Sequence, residues 1–206
     1  MALHDAPHRF TLHLRHRNEG AAARTHVAER STAVTTTADY ALACLRLLTG
    51  FVFLWAFLDK LFGLGYATAS ARSWLHGGSP TKGFLSAVHV GPLQSTFHHI
   101  AGTGWADTLF MLGLAGIGLT VTLGVALRPA ALAGTVLLAL MWLAEFPPAR
   151  HVTGGAPTMS SNPFVDYHLL YAAALVVLAA TSAGDTLGLG RVWGRLPLVR
   201  DVSWLR

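Results

Sequence analysis

Four apolar stretches divide this chain, at about residues 40–62, 105–127, 129–145 and 162–182, and few ionisable residues interrupt them. A run of that length placed in lipid must satisfy its backbone polar groups within itself, which favours helices. The first stretch closes on Asp59 and Lys60 and the second opens on Asp107. The third closes on Glu145, and the fourth opens with Asp166 and His168. If the chain crosses up-down-up-down, alternate ends meet and these residues share one layer. Ionisable groups at membrane depth are costly, so such a layer marks the place to look for function.

Composition agrees with a membrane chain. Of the 206 residues, 52% are hydrophobic and only 12% charged, against about 25% charged in soluble domains. The net charge of +5 is no nucleic-acid signal, because the basic residues sit in the tails and flank the apolar runs. Lysine occurs only at 60 and 82 and the other basic residues are arginine, a bias typical of GC-rich bacterial genomes. One cysteine, Cys44, excludes dithiol chemistry within the chain and reads as a small hydrophobe.

Arginine and lysine also give an orientation. With both termini inside, Arg9, Arg15, Arg17, Arg24, Arg30, Arg46, Arg128, Arg191, Arg195, Arg200 and Arg206 are cytoplasmic, and only Lys60, Arg72, Lys82 and Arg150 lie outside. The ionisable layer is then extracytoplasmic, in a bacterial plasma (inner) membrane. The expected architecture is an all-α membrane protein: a four-transmembrane-helix bundle over 39–190, with an extracytoplasmic helical lid between the first and second helices. Residues 1–38 form a disordered basic cytoplasmic tail without the apolar core of a secretory signal, and 191–206 a second basic cytoplasmic tail. In the lid, Phe84, Val88, Leu93, Phe97 and Ile100 recur at roughly helical spacing, interrupted at Pro92. In the second span Gly116, Thr120 and Gly124 form a small-residue stripe, which predicts a close helix approach on that face.

The residues of the layer differ in what they imply. Glu145 at a helix C-terminus opposes the macrodipole; it either points to headgroups or pairs with Lys60, His168 or Arg150. Asp107 and Asp166 are acids in a helix's first turn, which the dipole alone favours, with Asn162 as the expected cap and Pro163 as first helical residue. His168, Tyr171 and Leu175 share a face. A histidine beside an acid can exchange protons near neutral pH, and a tyrosine one turn deeper can hydrogen-bond a ligand carbonyl. That set suits a quinone, whose reduction needs two protons; the alternative is a polar pair tied between helices. Between Arg46 and Asp59 lie twelve uncharged residues, ~18 Å of helix, so Arg46 sits inside the span. Arg46 and Lys60 either both face inward or snorkel at opposite ends. His76, His89, His98, His99 and His151 show no ligand spacing, so neither metal nor haem is expected, and there is no nucleotide-binding glycine pattern.

Several segments carry a family resemblance: R-L-L-T-G-F-V-F-L-W-A-F-L-D-K-L-F-G-L-G in the first span, W-L-H-G-G-S-P-T-K-G-F-L in the lid, M-W-L-A-E-F-P-P closing the third span and N-P-F-V-D-Y-H-L-L-Y-A opening the fourth. In order and spacing, over about residues 40–195, they resemble the DoxX/DoxD family of small bacterial membrane proteins. The resemblance implies a four-helix membrane domain, and its better-known branch resembles the membrane subunit of thiosulfate:quinone oxidoreductase. It carries over no catalytic residues, and the lack of a cysteine pair puts independent thiosulfate oxidation in doubt.

The resulting expectation is a membrane subunit of a quinone-linked oxidoreductase, with a sulfur compound or a partner protein as electron donor. Glu145, His168 and Asp166 would be the catalytic, proton-relaying residues, and Lys60, Tyr171 and Arg46 would bind the quinone. Its partners are membrane lipid and a redox protein, with homo-oligomerisation open and nucleic acid excluded. The main alternative is a scaffold that anchors a redox or stress-response partner and has no chemistry of its own; a small-solute carrier ranks third.

Overall fold

The computed structural model describes residues 36–89, 91–145, 151, 155–157 and 162–205; most of the expected N-terminal tail, at 1–35, lies outside them. Contacts divide the chain into Met1–Ala41 and Leu42–Arg206. Of the first unit only the opening turns of a helix are described, and the packing below is that of the second.

The regular structure of the described residues is helical. α1 spans Thr36–Phe62, α2 Lys82–Ser86 and α3 Gln94–Ile100. The longer α4 (Gly104–Leu123), α5 (Leu127–Glu145) and α6 (Tyr167–Ala180) follow. The short α7 (Gly190–Trp193) and α8 (Pro197–Asp201) end the chain. An isolated bridge between His151 and Pro157 is the one β feature among them.

Local chemistry sets the boundaries. α1 stops at Gly63, whose φ of +68° suits a residue without Cβ and whose N–H donates to Asp59 O at 2.8 Å. α4 ends in a Schellman motif: Gly124, at φ +73°, donates to Val121 O at 3.1 Å, and Val125 donates to Thr120 O at 3.0 Å. Only the short turn around Val125 and Ala126 separates α4 from α5, where Pro129 sits in the first turn, a place that needs no N–H donor.

Three helices, α1, α4 and α5, are long and apolar enough to cross a membrane. The expected fourth span differs. Its helix starts at Tyr167 and has 14 residues, ~21 Å against a hydrocarbon core of ~30 Å. Asn162 does not cap it. The Asn162 side chain accepts from Phe164 N and Val165 N, both at 2.8 Å, and so turns the chain ahead of the helix. Asp166 is the cap.

Leu48, Leu109, Leu112, Leu132 and Leu170 are each more than half exposed, on α1, α4, α5 and α6. A water-facing surface does not carry that much aliphatic area on every long helix; a lipid-facing one does. Inside, Leu114, Ile117, Val121, Leu138, Leu175 and Leu178 form the core.

Since lipid is as apolar as leucine, close packing rather than water exclusion must join such helices. A Cβ on Gly118 would lie 2.6 Å from Leu54 N, and one on Gly50 2.7 Å from Thr122 N, so α1 and α4 run antiparallel with backbones nearly touching. α5 runs against both α4 and α6, and a Cβ on Gly134 would collide with the Leu175 side chain. The stripe read from the sequence divides: a Cβ on Gly116 would meet open space, while one on Gly124 would lie 2.7 Å from Gly184 Cα, and the contact ridge with α1 is Gly118 and Thr122.

Between α1 and α4 the long connection folds as a lid. Val88 and Phe97 are buried with Ala144 of α5, flanked by Phe84, Leu85 and Ile100. Leu93, expected with them, is 36% exposed, because α3 begins only after Pro92 has broken the spacing.

Candidate functional site

Alternation brings the ends of the helices together as the sequence implies. At one end lie the close of α1, the start of α4, the close of α5 with the lid, and the start of α6. Trp142 Nε1 near the end of α5 donates to Phe164 O ahead of α6 at 2.9 Å, and Lys60 Nζ lies 5.9 Å from the Phe110 ring centroid.

The most chemically capable group is at the start of α6. Asp166 Oδ1 accepts from His168 N at 3.0 Å and Leu169 N at 3.3 Å, the N-cap pattern. Its other oxygen, Oδ2, is 2.7 Å from His168 Nδ1. A carboxylate there holds the proton on Nδ1 and leaves Nε2 as the exchanging nitrogen. His168 is 1% exposed, and Nε2 has no hydrogen-bond partner among the described residues. A buried imidazole nitrogen without a partner costs stability, which a ligand hydroxyl, or a ligand carbonyl once the ring is protonated, would relieve. Tyr167 stacks beside the imidazole at 4.1 Å between centroids, and the half-buried Tyr171 meets Tyr167 edge-on at 6.3 Å.

Glu145 is the last residue of α5, at this same end, and its side chain lies outside the described residues. Lys60 is half-buried and belongs to a different environment. It sits where an apolar pocket of about 240 Å³, lined by Phe97, Leu109, Phe110 and Leu140, meets an open cleft of about 720 Å³ beside Arg72 and Lys82. Neither Asp166, His168 nor Tyr171 lines these cavities. The expected single layer is thus two places, one on α6 and one around Lys60.

Arg46 is at the far end of α6 from His168. It faces inward, fully buried, and each donor finds a backbone carbonyl. Nε donates to Ala183 O at 3.1 Å, one terminal nitrogen to Val121 O at 2.9 Å and to Thr122 O, and the other to Leu187 O at 2.7 Å and Thr186 O at 3.4 Å. It closes the C-terminus of α4 and the turn after α6, so its donors are not available to a quinone at the α6 start.

Asp59 and Asp107 also hold backbone. Asp59, 2% exposed, accepts from Tyr66 N at 3.2 Å and Ala67 N at 3.0 Å. Asp107 Oδ1 accepts from Ser79 Oγ at 2.9 Å, Thr81 N at 3.0 Å and Thr81 Oγ1 at 2.6 Å, which ties the lid to α4. Among the described residues no three His, Cys, Asp or Glu side chains converge as metal ligands. The cationic cleft was missed by sequence reasoning, although its signal was present: Arg72 and Lys82 are two of the few basic residues between the first and second spans.

Comparison of the chain with protein-family models, curated proteins and solved structures finds no match.

Proposed function

We propose that the chain is the membrane subunit of a quinone-linked oxidoreductase of the DoxX/DoxD kind. In this reading α1, α4, α5 and the shorter α6 cross a bacterial plasma membrane, α6 extended by the apolar residues ahead of it. Both termini are then cytoplasmic and the start of α6 lies on the extracytoplasmic side. The observation that carries it is the Asp166–His168 pair, with His168 Nε2 buried and unpartnered among the described residues. A bound quinone would supply a two-electron, two-proton acceptor. His168, first protonated to an imidazolium that Asp166 stabilises, would give its Nε2 proton to a quinone oxygen and return to the neutral ring with its proton on Nδ1. Tyr171 is the second polar contact we assign to the head group, and Glu145 the group that returns protons from the membrane surface. Electrons come from a sulfur compound or a partner redox protein, the donors the family resemblance implies.

The test is retained quinone. Protein purified in mild detergent is extracted and its quinone measured beside His168→Ala and Asp166→Asn. We expect at least a tenfold loss in His168→Ala and a smaller loss in Asp166→Asn. Wild-type amounts in both variants sink the reading.

A second reading has its own support. Arg46, Asp59 and Asp107 all serve backbone groups, as they would in a scaffold whose polar residues only hold helices together. It predicts that His168→Ala lowers thermal stability while partner recovery persists and no quinone is found in the wild type.

A further inference from the structure

The cleft and the pocket that meet at Lys60 have opposite character. The cleft is lined by Lys60, Arg72, His76 and Lys82, and no acid among the described residues lines it. Asp59, next to Lys60 in sequence, has both oxygens engaged, by Tyr66 N and Ala67 N, and Asp107 Oδ1 accepts from Ser79 Oγ and Thr81 Oγ1. The pocket next to it is apolar, bounded by Phe84 of the lid, Leu109 and Phe110 of α4, and Leu137 and Leu140 of α5. Leu109 is 65% and Leu140 49% exposed, so its rim belongs to the aliphatic outer surface. Lys60, Pro80 and Phe84 line both cavities. One ligand can therefore present charge to one and hydrocarbon to the other.

We propose that this double cavity binds one anionic phospholipid, its phosphate held by Lys60, Arg72 and Lys82 and an acyl chain lodged between α4 and α5. Charge complementarity selects the head: three cations with no lining acid favour a net negative lipid over a zwitterionic one, whose own ammonium would face them. Lys60 marks the depth of the phosphate, since it lines both cavities with its ammonium 5.9 Å from the Phe110 ring centroid. The proposal is independent of the quinone reading.

The full chain, purified in neutral detergent, is titrated with phosphatidylglycerol and with phosphatidylcholine and bound lipid is counted by native mass spectrometry. One phosphatidylglycerol should be retained at least tenfold better than phosphatidylcholine. Arg72→Gln with Lys82→Gln should abolish that preference, and Leu140→Trp, which fills the pocket, should weaken both lipids. Those three side chains are surface-exposed or half-exposed, so thermal unfolding of the variants should match the wild type and confirm the fold. Equal retention of the two lipids, or an unchanged preference in the double variant, overturns the site. Inorganic phosphate is the soluble probe. If it displaces phosphatidylglycerol at comparable concentration and Leu140→Trp has no effect, the cleft takes a free oxyanion and the lipid assignment fails.

Discussion

Away from water, a guanidinium is stable only where acceptors meet its five N–H donors, and helix C-termini offer carbonyls that no helical N–H reaches. Arg46 solves both problems at once, since α4 and the turn after α6 end around it. That turn places Ser182 and Leu187 at φ +52° and +50°, a region costly for residues with a Cβ; Arg46 holds the Leu187 carbonyl in it. Arg46→Met should therefore destabilise the fold by about 3 kcal/mol or more, because removing one partner leaves buried acceptors unsatisfied at ~1–3 kcal/mol each. Arg46→Lys keeps the charge but not the planar fork and should fall between. Unfolding in mixed detergent measures both; a wild-type midpoint for Arg46→Met contradicts the clamp. At the other end, Asp107→Ala should cost about 2 kcal/mol through the loss of three donors' shared acceptor. Asp107→Asn keeps a carbonyl oxygen and should cost less than half as much, unless the charge itself anchors the lid.

At the scale of elements, glycine positions decide how helices meet. Gly118→Ala must push α4 off the Leu54 backbone, and overpacking of that kind costs ~1–3 kcal/mol. Gly116→Ala meets only open space and should be neutral or stabilising, by up to ~1 kcal/mol from helix propensity. The two variants, two residues apart and unfolded side by side, should move in opposite directions or differ by at least ~1 kcal/mol. The sequence could not have chosen between these faces. It showed small residues recurring on α4, but the helix is apolar all round, so no polar side distinguishes a lipid-facing stripe from a helix-facing one. Helix ends were more legible because their signals are local: proline at 129, glycine at 63 and 124, and acids at 107 and 166. The α6 start was misjudged because Asn162 and Asp166 carry the same cap chemistry, and only the backbone shows which one the helix follows.

For the whole molecule, alternation of apolar runs was enough to predict that the ionisable residues meet at one end. It did not separate Lys60 from His168, because that depends on how helices rotate about their own axes and on where the lid lands. Nor could it anticipate Arg46, whose carbonyl partners lie between 75 and 141 residues away in sequence. What both proposed sites share is the end of the antiparallel helices at which they lie. The lid and the α6 start are at one end of the antiparallel helices, and α7 and α8 follow the other end of α6. In a Cys44→Ser background, one new cysteine at Ser86 and, separately, one at Arg195 test this directly, since both positions are exposed. A membrane-impermeant maleimide added to intact cells should label Ser86→Cys and should reach Arg195→Cys only after lysis. Labelling of both in intact cells would mean that the helices do not alternate across the bilayer. The reverse pattern would put the His168 and Lys60 sites on the cytoplasmic face, where proton uptake and the lipid head groups on offer both differ.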